Sequence, residues 1–138
     1  MCIRDSYEII RALDDEIQNH WDQISKTAQP IFEQAEARTE QQYRDALETR
    51  QAAIEWFDDF YKQYDAILTP SAISVEPLMG STGDSICCLI WTLCGLPCIN
   101  LPILTGENNL PVGVQLIGAR CRDSDLFQTA RYIEELIS

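Results

Sequence analysis

Between Tyr7 and Ser25, the apolar residues Ile10, Leu13, Ile17 and Ile24 recur at spacings of three, four and seven, and Trp21 joins the same side. That period predicts an amphipathic helix. Pro30 suits the first turn of a second helical stretch, where a missing N–H costs no intrahelical bond. A long periodic segment then runs to about Tyr64, with Phe32, Ala35, Tyr43, Leu47, Ile54, Phe57 and Tyr61 on its inward side. Its outward side carries Glu40/Arg44 and Asp58/Lys62, acid before base at i,i+4, as on a solvated helix face.

After Tyr64 the period changes. Ala66-Ile67-Leu68-Thr69 reads as a short buried strand stopped by Pro70, and residues 71–79 as a loop. GSTGD (80–84) is a turn that offers Thr82 or Asp84 as the cap of a helix running to about Cys94. Gly95-Leu96-Pro97 ends that helix in a sharp change of direction. CINLPI (98–103) is a strand, GENN (106–109) a turn, and LPVGVQLIG (110–118) a second long strand. Within it, Gly113 and Gly118 allow neighbouring groups to approach closely. Asp123 or Ser124 then caps a last helix to Ile137, with Leu126, Ala130, Ile133 and Ile137 inward.

The strands are strongly apolar: from Val112 to Ile117 only Gln115 is polar. Strands of this kind are covered on both faces. One following helix and part of the long helices supply too little cover, so the pattern predicts a piece of a larger sheet.

Composition narrows the functions. The net charge of −12 includes 14 acids against 6 bases between residues 7 and 65. Such a surface repels phosphate backbones and argues against nucleic acid as a partner. The longest uncharged run, residues 85–106, is interrupted by prolines and glycines and does not predict a membrane span. No secretory leader is recognisable at the start. The six cysteines show no CxxC spacing, and the only histidine, His20, lies far from them, so no metal site is expected. Four of the five beyond Cys2 sit in apolar runs and read as buried, reduced thiols.

A complete hydrolytic centre is not found. There is no GxSxG elbow and no histidine close to a serine. The two lysines, Lys26 and Lys62, fall on charged helical surfaces, where an ammonium stays protonated and is no base. Asp14/Asp15 and Asp58/Asp59 are adjacent and diverge around a helix. Cys94 and Cys98 flank the Gly-Leu-Pro turn without a base to ionise them.

Four stretches carry more. YDAILTPS (64–71), STGD (81–84), GLPCINLPI (95–103) and LPVGVQLIG (110–118), in this order and followed by a closing helix, resemble the C-terminal part of the amidase signature family. The resemblance covers about residues 55–138. It implies an α/β fold in which this portion contributes to a large mixed β-sheet covered by helices, with a long helical segment on its N-terminal side. It also implies hydrolysis of carbon–nitrogen bonds by a serine, relayed through a second serine on a cis peptide and a lysine, with no cofactor. Those three residues belong to upstream segments of the family pattern, so no catalytic residue is assigned here. Asp84 and Trp91, at the start of and within the helix before Gly95, are the substrate-pocket candidates. Thr92 stands where many members have asparagine, which resembles general amidases more than the members that serve transfer-RNA amidation.

The opening hexapeptide MCIRDS is what ATG TGT ATA AGA GAC AGY encodes, similar to a transposon end used to tag DNA libraries. Residues 1–6 therefore read as a processing scar, and 7–138 as a partial amidase-signature domain: helices over 7–65, then strand-helix-strand-strand-helix over 66–138. The expectation is a cytoplasmic protein whose parent enzyme acts on a small-molecule amide, with no membrane or nucleic-acid partner and with a homo-oligomer left open. The fragment by itself is expected to be inactive. Two rival readings are a non-catalytic acidic helical module that binds a protein partner, and a thiol-dependent redox protein built on Cys94 and Cys98.

Overall fold

The computed structural model describes residues 2–73 and 83–137. The chain divides into two compact units, Met1–Ala52 and Ala53–Ser138.

The first unit is helical. It holds α1 (Ile3–Ala12), α2 (Asp14–Asn19), a 3-10 turn (Trp21–Gln23), α3 (Gln29–Glu36) and the first half of α4 (Glu40–Phe60). The single helix expected over 7–25 is broken twice, because Leu13 (φ −114°, ψ 30°) and His20 (φ −135°, ψ 27°) leave helical geometry. The first break leaves Asp14, Asp15 and Glu16 in the opening turn of α2, where the positive end of the helix dipole stabilises acids. Helix α1 also starts earlier than Tyr7. The Cys2 thiol accepts the Asp5 N–H at 3.4 Å, and Arg4 pairs with Asp5 at 2.6 Å. The segment 30–64 is likewise two helices. Thr39 Oγ1 accepts the Gln42 N–H at 3.2 Å while Gln42 Oε1 accepts the Thr39 N–H at 3.0 Å, a reciprocal cap that starts α4 afresh. Phe32, Ala35, Ile17 and Tyr7 form the buried side of this unit. Tyr7 stacks on Tyr43 with centroids 4.4 Å apart, and the Arg11 guanidinium lies 3.3 Å from the Tyr7 ring centre.

The second unit is built on a three-stranded antiparallel sheet, β1 (Ile67–Pro70), β2 (Cys98–Thr105) and β3 (Pro111–Ile117), in the order β1-β3-β2. Ile67 pairs with Ile117 and Pro70 with Val114 on one side of β3; Cys98 pairs with Ile117 and Leu101 with Val114 on the other. Pro70 is thus the last residue of β1 and not its stop, which a strand edge tolerates because proline lacks only its own N–H. Strand β2 runs two residues past the predicted end, with an irregularity between Leu101 and Leu104. Asn108 (φ 55°) and Asn109 (φ 62°) take the left-handed positions of the turn into β3, where asparagine is tolerated.

Alternation along β3 splits the core in two. Leu116 and Leu101 meet α6 (Asp123–Ile137) through Leu126 and Ala130. Ile117, on the opposite face, meets Ile54, Phe57 and Tyr61 from the end of α4 together with Cys94 and Leu96. Leu116, Ile117 and Leu126 are almost fully buried, and each stabilises the unit by about 1.5–3 kcal/mol. Asp123 and Ser124 are inside α6 and not its cap; Asp123 and Asp125 are its first-turn acids. Ile137, expected inward, is exposed. Lys62 pairs with Asp59 at 2.6 Å, one residue from the expected Asp58, because the chain leaves the α-helix at Phe60. Among the described residues, no helix is long and apolar enough to cross a membrane.

Candidate functional site

The helix expected after the GSTGD turn is short: α5 spans Leu89–Cys94. Asp84 does not cap it. Its Oδ1 accepts the Ile86 N–H at 2.9 Å, a local turn two residues on, and its side chain is exposed. The N-cap position of α5 is Cys88, without a side-chain cap bond. Thr82, the other candidate cap, lies outside the described residues. At its far end α5 stops cleanly. Gly95 takes the left-handed conformation (φ 68°), and Leu96 N–H donates to the Trp91 carbonyl at 3.0 Å.

Trp91 is half-buried and packs edge-on against Phe57, with centroids 5.7 Å apart at 63°. Its indole N–H donates to the Cys87 carbonyl at 2.8 Å. Asp84 and Trp91 therefore stand on the same short stretch, Asp84 towards solvent and Trp91 towards the core; among the described residues no hydrogen bond joins them.

The residue that organises this region is Gln115. It is 4% exposed, and its Nε2 donates to the Pro70 carbonyl at 3.0 Å and to the Cys87 carbonyl at 2.6 Å. Gln115 pairs with Thr69 across one side of β3 and with Asn100 across the other, so three polar residues form a row on one face of the sheet. Beside this row, the Asn100 and Ser71 side chains crowd the space that a side chain on Gly113 would occupy. Ser71 N–H also donates to the Gly113 carbonyl at 3.1 Å. Thr69 Oγ1 is buried and has no partner among the described residues. Gln115 is visible in the sequence as a lone polar residue in an apolar strand, a signal that a buried amide has bonds to make. Asn100 and Ser71 give no such signal, since only the strand register brings them to Gly113.

The sulfur chemistry differs from expectation. All six cysteines are free, and of these only Cys94 is buried; Cys88, Cys98 and Cys121 are exposed and Cys87 is half-buried. The buried-thiol reading is corrected for three of the four cysteines in apolar runs, Cys87, Cys88 and Cys98, because no described element covers that side of the turn before α5 and the start of β2. Cys98 is held above its ordinary pKa, first by partial burial and then by the nearby Cys88. Its Sγ–H donates weakly to the Leu96 carbonyl at 3.6 Å. A thiol so placed is a poor nucleophile. The Lys62 ammonium, exposed and held above its ordinary pKa by Asp59, is a surface charge and not a base.

A cavity of about 440 Å³ lies in the first unit, lined by Ile10, Arg11, Asp14, Ala35, Glu36 and Arg38. Its lining carries charges of both signs and no serine, cysteine or lysine.

The profile of the Amidase family matches residues 7–127. The chain is 34% identical over 111 residues to the A-subunit of glutamyl-tRNA(Gln) amidotransferase from Thermotoga maritima, covering 75% of this chain and 23% of that protein. A crystal structure of an amidase superposes with a TM-score of 0.85 at 25% identity, over 96% of this chain and 33% of that one. The crystal structure of the same Thermotoga maritima amidotransferase component superposes with a TM-score of 0.55 at 28% identity, over 83% and 27%. The chain thus spans about a quarter of the length of the curated relatives it matches.

Proposed function

The chain belongs to the amidase family, and from that premise we propose that it forms the C-terminal part of an enzyme hydrolysing carbon–nitrogen bonds in a small-molecule amide. The observation that carries this is convergence. The Thr69-Pro70 strand, the Gly95-Leu96-Pro97 turn and the Pro111–Ile117 strand are distant in sequence yet bonded to one another: Gln115 holds the Pro70 carbonyl, and Gly118 N–H donates to the Pro97 carbonyl at 2.9 Å. These are the pieces on which the family resemblance rests.

In this reading the chain supplies the wall of the substrate pocket, with Asp84 and Trp91 beside it. The chemistry is supplied by a serine, a second serine on a cis peptide, and a lysine, all in upstream sequence. Within this chain neither Lys26 nor Lys62 has the desolvated surroundings a general base requires. The superposition on an amidase at a TM-score of 0.85 supports a general amidase, and Thr92 points the same way through the family resemblance. The amidase relatives support a cytoplasmic enzyme, and the charge of −12 disfavours nucleic acid.

The test has two arms. The 138-residue chain, incubated with a panel of aryl and aliphatic amides and with a serine-directed fluorophosphonate, is expected to show neither turnover nor labelling. Either signal would place catalytic groups within this chain. In the second arm, the chain replaces the corresponding third of a family amidase. Restored hydrolysis supports the pocket-wall reading, and a folded but inert chimera overturns it.

A further inference from the structure

A primary amide inside a protein costs free energy unless its N–H groups are paired. Gln115 meets that demand across elements and not within its own strand. One N–H goes to Pro70, the last residue of β1, and the other to Cys87, in the turn that leads into α5. The Cys87 carbonyl is also the acceptor for the Trp91 indole. A single oxygen therefore collects the two donors that tie the start of α5 to β3 and to its own helix.

Helix α5 depends on such outside support. Six residues form little more than one turn and half of another, far below the length at which a helix holds itself in water. It has no side-chain N-cap and no acid in its first turn. Its far end is secured by Gly95 and by Cys94 and Leu96 in the core. Its near end has Gln115.

We infer that Gln115 is a positioning residue: its amide fixes the 84–91 stretch, with Asp84 and Trp91, against the sheet. On the pocket-wall reading above, on which this consequence rests, it thereby sets which acyl or amine group of the substrate is accepted, without touching the reacting atoms. The bonds to the Cys87 carbonyl anchor that residue, just before α5, to the sheet, although, unlike a cap, they satisfy none of the helix's first-turn N–H groups.

The experiment is hydrogen exchange on the 138-residue chain, read by region, together with Trp91 emission in a background where Trp21 and Trp56 are phenylalanine. Gln115→Met keeps the size of the side chain and removes both donors. The amides of residues 86–92 should exchange about tenfold faster, and Trp91 emission should shift to the red, while the Leu101 and Leu116 amides stay within about twofold. Unchanged exchange at 86–92, or equal loosening of the whole sheet, overturns the inference. Gln115→Glu provides a readout that packing alone would not move. Its carboxyl, facing two carbonyl oxygens, donates only when protonated, and burial raises its pKa, so protection of 86–92 should return in part on lowering the pH from about 9 to about 5. A flat response overturns the clamp even if the Met variant does not fold. Trp91→Phe deletes the second donor to Cys87, and loosening as large as that in Gln115→Met would assign the role to the indole instead. Exchange reads the clamp and hydrolysis by the chimera reads the pocket, so either can fail without the other.

Discussion

The Tyr61 hydroxyl donates to the backbone carbonyl of Ile117 at 2.9 Å, a bond between residues 56 apart in sequence and buried at both ends. It joins the turn after α4 to the last residue of β3. Burial, with a lesser effect of Cys98, pushes the Tyr61 pKa up to about 12. Tyr61→Phe leaves the Ile117 carbonyl without its donor in the core, and should cost about 1–3 kcal/mol in urea unfolding. The pH dependence follows from the raised value. The contribution of the neutral phenol is fully present below its ordinary pKa of 10.0 and is lost as pH rises through about 12. Unfolding midpoints followed across that window should fall more steeply for the wild-type chain than for Tyr61→Phe.

Gly95 and Gly113 predict opposite origins of cost. A methyl group on Gly95 would meet no atom within 4 Å, but the residue sits at φ 68°. Gly95→Ala should therefore lose about 1 kcal/mol through backbone conformation alone, and no substitution of a neighbour should restore it. Thermal unfolding of the single variant and of neighbour double variants checks this.

At Gly113 the obstacle is steric. A methyl there would run into the side chains of Asn100 and Ser71. Gly113→Ala should destabilise by about 1–3 kcal/mol, as overpacked sites do, and Asn100→Ala in the same chain should recover part of the loss. Strict additivity of the two changes would show that they do not share this space.

Cys98 distinguishes a hydrolase fragment from a thiol-redox protein. With its pKa held up by partial burial, its alkylation by iodoacetamide should have a midpoint above the ordinary thiol value of 9.0, although much of the residue is open to solvent. Rapid alkylation at neutral pH would revive the redox reading.

The sequence was informative wherever a local rule sufficed. Gly95 before Leu96-Pro97 had to end a helix, since few other residues take that conformation cheaply. The family too was legible, in four short motifs. Local rules were misapplied at Thr39-Glu40-Gln41-Gln42, whose capping spacing marks a helix start that the continuous apolar period obscured. Other features no local rule could supply. Asn100 and Ser71 meet at Gly113 only because β2 and β1 flank β3 in one register. Asp84 turned to a bond with Ile86 because α5 starts only at Leu89, five residues further on. Gln115 stood out as the one polar residue of an apolar strand, but its burial and the two carbonyls it holds did not. By itself, then, the sequence determined where the chain is helical and where it is extended, most of the apolar positions that pack inward, and the family, because these follow from period and motif. Only the tertiary structure decided which distant carbonyls, glycines and side chains meet, because strand register and packing set those encounters.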